Sequence, residues 1–271
     1  MIFNAGQRRG VVEIAVPTAS LTPASGVTYT EGLAGLDAET VSFFCGAISN
    51  NAAINNETGS VYIDYENEHR KLSIGDQVSL SLNGTNYAFD IIGFNHDDLT
   101  DAAVYGEATA TGKAGMTLQM HDLFATTYPM NSSITNSGGW KNSLMRTSTM
   151  ATMKGYLPDD WEAIVKPVNK KAGTGGGSSS GTETVSDICF LLAEIEIFGS
   201  TTNSVSGEGT QYAYYKAGNS KVKNKSGAED YWWERSPRSG DSGYFCRVGS
   251  SGTATQSNAN RNSGVAFGFC V

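Results

Sequence analysis

Two carboxylates one residue apart, Glu194 and Glu196, would share one face of an extended chain, and such a pair can do acid–base work or bind calcium. Their alternation with Ile195 and Ile197 fits the solvated face of a half-buried strand better. His96-Asp97-Asp98, with Asp101, forms an acidic turn, but it lacks the regular oxygen-ligand spacing of a calcium loop, which favours capping and turn chemistry. Serine-type catalysis would have to draw on His69, His96 or His121, and none lies in a nucleophile-elbow motif. The four cysteines, Cys45, Cys189, Cys246 and Cys270, show no C-x-x-C spacing and no neighbouring histidines, which argues against zinc and makes buried free thiols the default. Cys246 and Cys270 sit in apolar motifs expected to be neighbouring strands, so a disulfide between them stays open. No catalytic residue, metal or cofactor is predicted.

A different kind of chemistry is written into the last forty residues. Large apolar groups recur in Tyr231-Trp232-Trp233, in Phe245-Cys246 with Val248, and in Gly264-Val265-Ala266-Phe267-Gly268-Phe269-Cys270-Val271, with Arg235-Ser236-Pro237 following the first. Between them, 20 of the 26 positions from Arg238 to Ser263 are Ser, Gly, Asp, Arg, Asn, Thr or Tyr. Such a stretch cannot fold on its own burial and must be held by the aromatic frame. Tyr, Ser, Gly and Asn are the residues of adaptable binding surfaces. In most proteins a stretch of this composition is an ordinary loop. The three spaced frame motifs reverse that preference.

The run W-W-x-R-S-P, the later F-C-x-V and the closing G-V-A-F-G-F-C resemble the C-terminal variable region of proteins diversified by retroelements in phages and gut bacteria. Weaker similarities run through Phe94-Asn95-His96-Asp97-Asp98, Pro129-Met130-Asn131, Gly138-Gly139-Trp140, Met145-Arg146 and Phe190-Leu191-Leu192-Ala193-Glu194. The resemblance implies a C-type lectin-like fold, α+β, with loop-rich mixed antiparallel sheet and a few short helices. It also implies a variable region over about 234–263, built from adenine-containing codons. Asn, Ser, Thr, Asp, Gly, Arg and Tyr are all reachable from an Asn codon in that way. Glu234 and Gln256 are not, which puts their membership in doubt.

The implied ligand-binding set comprises Arg238, Ser239, Asp241, Ser242 and Tyr244, then Arg247, Gly249, Ser250, Ser251, Thr253 and Thr255, and finally Ser257, Asn258, Asn260, Arg261, Asn262 and Ser263. Tyr244, Arg247 and Arg261 are its expected anchors, because Tyr and Arg dominate interface hot spots. Trp232, Trp233, Arg235, Phe267 and Phe269 are the expected scaffold. The function implied is receptor or ligand binding on a phage tail or bacterial surface, directed at a bacterial surface protein or glycan. Weak contacts would be multiplied by avidity in a homo-oligomer, a trimer among the options. The calcium tripeptides E-P-N, Q-P-D and W-N-D are absent, so calcium-dependent glycan binding is not implied. The alternatives are a fixed structural virion protein and, by fold analogy alone, an oxidase like the formylglycine-generating enzymes that would use Cys246 and Cys270.

The positioning elements follow from composition and period. With 271 residues and 39% hydrophobic content the chain can build a real core, while 17% charged residues and 32 glycines suit a loop-rich displayed domain. A net charge of −8 leaves no basic stripe for nucleic acid. Lys221, Lys223 and Lys225 read as a solvated strand or loop face. No secretory signal or membrane span is predicted. Residues 1–40 read as an attachment or oligomerisation arm, and 41–271 as the lectin-like domain. Val78, Leu80 and Leu82, then Asn83-Gly84, then Tyr87, Phe89 and Ile91 predict a hairpin. Met116–Phe124, Met145–Met153 and the segment after Pro158 predict helices, with Pro167 ending or bending the last. Gly173–Gly181 predicts a flexible loop with no nucleotide-binding signature. Ile188–Phe198 predicts a central strand.

Overall fold

A computed structural model describes residues 16–100, 109–177 and 181–271. Strands β1 (Thr18–Ser20) and β2 (Thr30–Glu31) precede helix α1 (Ala38–Ser49), and β3 (Ser60–Tyr65) and β4 (Glu68–Ser73) follow it. Together the strands form a sheet in the order β1-β3-β4-β2, antiparallel except for β2 against β4. Asp37 caps α1 by accepting the Thr40 N–H at 2.7 Å. Its buried residues Val41, Phe44, Cys45 and Ile48 fall at helical spacing. The chain expected as an arm over 1–40 thus supplies two strands and the first turn of α1. Residues 1–15 of that arm lie outside the described residues.

Hairpin β5 (Gln77–Leu82) and β6 (Thr85–Phe94) is as expected, with Asn83 at φ 47° and Gly84 at φ 80° making the tight turn. β7 (Met116–Met120) is the first correction, because Met116–Phe124 was expected to be helical. All five residues of β7 are buried, since it lies inside the sheet β10-β16-β7-β6-β5 and is covered on both faces. A strand buried on both sides loses the alternation that would reveal it, and tertiary burial overrides the helix propensity of Met and Leu.

Short helices follow: α2 (Gly139–Asn142), a π-helical turn Met145–Thr149, α3 (Met150–Lys154) and α4 (Asp159–Glu162). The helices expected at Met145–Met153 and after Pro158 are therefore present, the second only one turn long. Trp140 is buried, and its Nε1 donates to Asp187 Oδ2 at 2.7 Å while Arg146 Nε donates to Oδ1 at 2.6 Å. β8 (Val168–Gly173) and β9 (Thr182–Asp187) form a hairpin joined by the glycine-rich segment, whose residues 178–180 lie outside the described residues.

Ile188–Phe198 is the second correction. Only β10 (Cys189–Phe190) is extended, and Glu194–Phe198 forms helix α5, closed by Gly199 at φ 71°. Its E-I-E-I run imitates strand alternation, but the Ala193 N–H donates to Glu196 Oε2 at 3.0 Å and starts a helical turn. The chain then passes through α6 (Ala213–Lys216), hairpin β11 (Lys223–Lys225) and β12 (Ala228–Asp230), and the sheet of β13 (Trp232–Pro237), β14 (Tyr244–Val248) and β15 (Ala254–Asn258). β16 (Gly268–Cys270) returns to the main sheet between β10 and β7. Lys223 is not solvated as expected: it is buried, and its Nζ donates to the carbonyls of Met120 and, at 2.9 Å, His121. Burial lowers its ammonium to about 8.

The junction of β13 with the closing motif depends on Gly264. Its N–H donates to Tyr231 O at 2.8 Å and its carbonyl accepts the Trp233 N–H at 3.0 Å. A Cβ there would stand 2.4 Å from Leu123 Cδ1 and 2.7 Å from Tyr231 O. We expect Gly264→Ala to cost about 2–3 kcal/mol, read as a lowered urea midpoint at unchanged m-value. An unchanged midpoint would mean that the junction yields freely.

Candidate functional site

The expected scaffold is buried throughout: Trp232, Trp233, Arg235, Phe267 and Phe269 are each 0% exposed. Trp233 Nε1 donates to Tyr128 O at 2.8 Å and Trp232 Nε1 to Lys221 O at 3.0 Å, so both indoles satisfy their polar edge. Phe267 and Phe269 pack on Phe89 at ring distances of 5.6 and 5.3 Å. The R-S-P run crosses to the Leu191–Glu194 segment: the Arg235 N–H donates to Leu192 O at 2.8 Å, and Ser236 Oγ accepts the Glu194 N–H at 3.0 Å.

Most of the expected contact positions emerge from this frame. Ser242, Ser251, Thr253, Asn260, Arg261 and Asn262 are exposed, and Arg238, Ser239, Asp241, Tyr244, Arg247, Ser250, Thr255, Ser257 and Asn258 are half-buried. Gly249 and Ser263 do not join them. The Gly249 N–H closes the β14–β15 turn on Thr253 O at 2.7 Å, and Ser263 Oγ donates to Tyr231 O at 3.0 Å. Glu234 is likewise buried inside β13, among frame residues, and Gln256 is half-buried opposite Cys246.

Of the three expected anchors, Tyr244 and Arg247 lead separate groups, and Arg261 is exposed in loop 260–262. The Arg238 guanidinium lies 5.6 Å from the Tyr244 ring centroid and 3.6 Å from Asp241 Oδ2. The Arg247 guanidinium lies 4.0 Å over the exposed Tyr231 ring, across the strand pair from Thr255. Between Tyr244 and Arg247 both faces of β14 are covered, at Phe245 and Cys246.

Asn136, which the sequence did not single out, organises the first group. It is 0% exposed, and its Nδ2 donates to the carbonyls of Asp241 at 2.7 Å, Tyr244 at 2.8 Å and Arg238 at 3.3 Å. Its own N–H donates to Ser242 O at 2.6 Å, and its Oδ1 accepts the Gly176 N–H at 2.8 Å. One side chain thus clamps loop 238–244 against the glycine-rich hairpin loop.

Beneath the frame lies a network of buried charges. Arg235 forks onto Glu196, with Nη1 to Oε2 at 2.5 Å and Nη2 to Oε1 at 2.7 Å, and also donates to the carbonyls of Lys171, Leu191 and Glu208. Lys170 Nζ bridges Asp97 Oδ1 at 2.6 Å and Glu196 Oε1 at 2.9 Å, and donates to Tyr212 Oη at 2.9 Å. Tyr212 and Thr117 hydroxyls donate to Asp97 Oδ2 at 2.8 and 2.7 Å. Burial would push Asp97 and Glu196 up, but Lys170 holds Asp97, and Arg235 with Lys170 holds Glu196, below the usual carboxylate range. Glu194 and Glu196 are therefore not a solvated face, and Asp97 is not a turn cap. Asp98 instead pairs with Lys113 at 2.6 Å, and Asp101 lies outside the described residues. His96, Asp97 and Glu196 have the spacing of a metal triad, but the Lys170 ammonium already fills the place of a cation.

Cys246 and Cys270 are free and buried in different sheets, which corrects the expectation of neighbouring strands and leaves no disulfide between them. Burial pushes both thiols well above their ordinary value, the reverse of an activated nucleophile. Among the described residues no helix is long and apolar enough to cross a membrane.

A sequence family described as a domain of unknown function, DUF6273, matches residues 114–271. The chain belongs to this family. The DUF6273 segment begins just before β7 and contains the frame, Asn136 and every expected contact position. Asp97, one anchor of the buried network, comes from the chain before the DUF6273 segment. No curated protein and no solved structure matches the chain.

Proposed function

We propose that this chain is a non-enzymatic binding protein of C-type lectin-like fold that displays a variable C-terminal surface, carried on a phage tail or bacterial surface as a homo-oligomer. The architecture of mostly antiparallel sheets with a few short helices is compatible with that fold. One observation carries the reading. Small polar side chains and two Arg–Tyr pairs emerge from loop 238–244, β14–β15, loop 260–262 and Tyr231, the one exposed member of the frame motifs, directly over the buried Trp232, Trp233, Arg235, Phe267 and Phe269. Rigid support beneath adaptable polar groups and aromatic anchors is how recognition surfaces are built. The buried charge network and inert thiols hold the scaffold and offer no reacting group to a substrate. The ligand is a protein or glycan of a bacterial surface.

Two measurements test this. Amplicon sequencing of codons 231–271 across the population carrying the gene should show variation at adenine-derived codons of exposed positions, with Trp232, Trp233, Arg235, Phe267 and Phe269 silent. Equal variation in frame and surface would remove the display reading in favour of a fixed structural role. For the protein itself, Tyr244→Ala with Arg247→Ala should weaken adhesion to intact target cells at least tenfold, while the melting temperature moves by less than about 3 °C. Loss of stability matching the loss of adhesion would show these side chains to be scaffold.

A further inference from the structure

Glu194 at the start of α5, Glu234 on β13 and Cys246 on β14 each place a ligand atom within 4.8 Å of the other two, and all three residues are 0% exposed. Glu234 is the anomaly: neither of its carboxylate oxygens has a hydrogen-bond partner. A buried carboxylate left in this state costs several kcal/mol, so native cores pair such groups or coordinate them. The buried bases Arg235 and Lys170 are already taken, Arg235 by Glu196 and Lys170 by Asp97 and Glu196. The groups that act on Glu234 are the carboxylates of Glu194 and Glu208, which with burial push it well above its ordinary range.

Glu194 supplies the orientation. Its oxygens accept the N–H groups of Thr202, Asn203 and Ser204 and the Asn203 side-chain amide, at 2.8–3.0 Å. A carboxylate fixed by outer hydrogen bonds in this way is what positions a metal ligand. We propose that Glu194, Glu234 and Cys246 bind a divalent transition-metal ion of the zinc class. The thiol excludes calcium and magnesium, which take shells of six or more oxygens, whereas zinc accepts carboxylate oxygen and thiolate sulfur together in a four-coordinate shell, whose fourth position falls to the second unpartnered oxygen of Glu234. Binding releases the proton of Cys246, because a coordinated thiol is deprotonated. Enclosed on all sides, the ion enters as the chain folds and ties α5, β13 and β14 together. This site is independent of what the surface above it binds.

The full chain, purified without chelator, should carry roughly one zinc per molecule by elemental analysis, and Glu234→Gln and Cys246→Ser should each lower that occupancy at least tenfold. Unfolding in chelator and refolding with cobalt(II) in place of zinc should give the wild-type chain a thiolate-to-cobalt charge-transfer band, a readout that needs no variant to fold. Glu234→Leu separates the two accounts of the orphan carboxylate by sign. If Glu234 is a metal ligand, the leucine loses the ion and lowers the melting temperature; if it is a neutral unpaired acid, the leucine raises it. A metal-free purified protein that takes up neither zinc nor cobalt on refolding, with Glu234→Leu more stable than wild type, would overturn the proposal.

Discussion

Arg235→Ala is expected to remove about 3–5 kcal/mol of stability, a large share of the roughly 5–15 kcal/mol that holds a typical domain folded. The guanidinium is wholly buried, grips Glu196 with two nitrogens and satisfies three backbone carbonyls from Lys171, Leu191 and Glu208. Truncation strands all of these acceptors at once, and Lys170 alone remains to compensate Glu196. Burial opposes the charge, yet Glu196 and Glu208 raise the guanidinium above its ordinary value, so it is charged at every working pH. Arg235→Lys should not rescue, because one ammonium cannot replace a planar fork that holds a carboxylate and three carbonyls. Urea unfolding of both variants checks this. A loss under 1 kcal/mol for Arg235→Ala would mean that water or rearrangement satisfies the stranded groups, and that Arg235 does not hold the frame.

Asp97→Asn should cost a similar amount at neutral pH and also change the shape of the acid limb. Asp97 is depressed in the fold, chiefly because Lys170 offsets the penalty of burial. A depressed carboxylate contributes stability that is fully present above its unfolded value of about 3.9 and is lost as pH falls through the folded value. Wild type should therefore lose stability steeply below about pH 4. The Asn variant, less stable at pH 7, should fall more gently, its remaining slope coming from Glu196 and the other paired carboxylates. Urea midpoints measured from pH 7 to pH 3 would show the two curves converging. Parallel curves would place the charge of Asp97 outside the stability of the fold.

The parts of the fold legible in the sequence are those decided by near neighbours. Asn83-Gly84 needs positive φ at two successive residues and sits between alternating strands, so the hairpin was readable. The short helices at Met150–Lys154 and Asp159–Glu162 follow local spacing and Pro158. The aromatic frame was readable because residues as large as Trp232, Trp233 and Phe267 have few places other than a core. What escaped was decided at a distance. Met116–Met120 is a strand only because β6 and β16 flank it, and Glu194–Phe198 is helical although its alternation suits a strand. Asp97 meets Lys170 from 73 residues away. One signal was available: Lys170 alternates in phase with Val168 and Ala172, which places a lysine on the buried face of its strand. Asn136 carried no signal, because a lone Asn in a polar loop looks the same whether it clamps three carbonyls or none.

That clamp has a consequence for how this surface can change over time. Asn136 grips loop 238–244 by the peptide oxygens of Arg238, Asp241, Ser242 and Tyr244, groups that every amino acid carries. The grip is blind to side-chain identity. Ser239 and Ser242 can change without touching that grip, whereas Gly240 at φ 77° and Gly243, where a Cβ would stand 2.9 Å from Ile134 Cγ2, keep the loop on its path. A change of side chain at those two serines is thereby uncoupled from the backbone contacts that hold the loop in place.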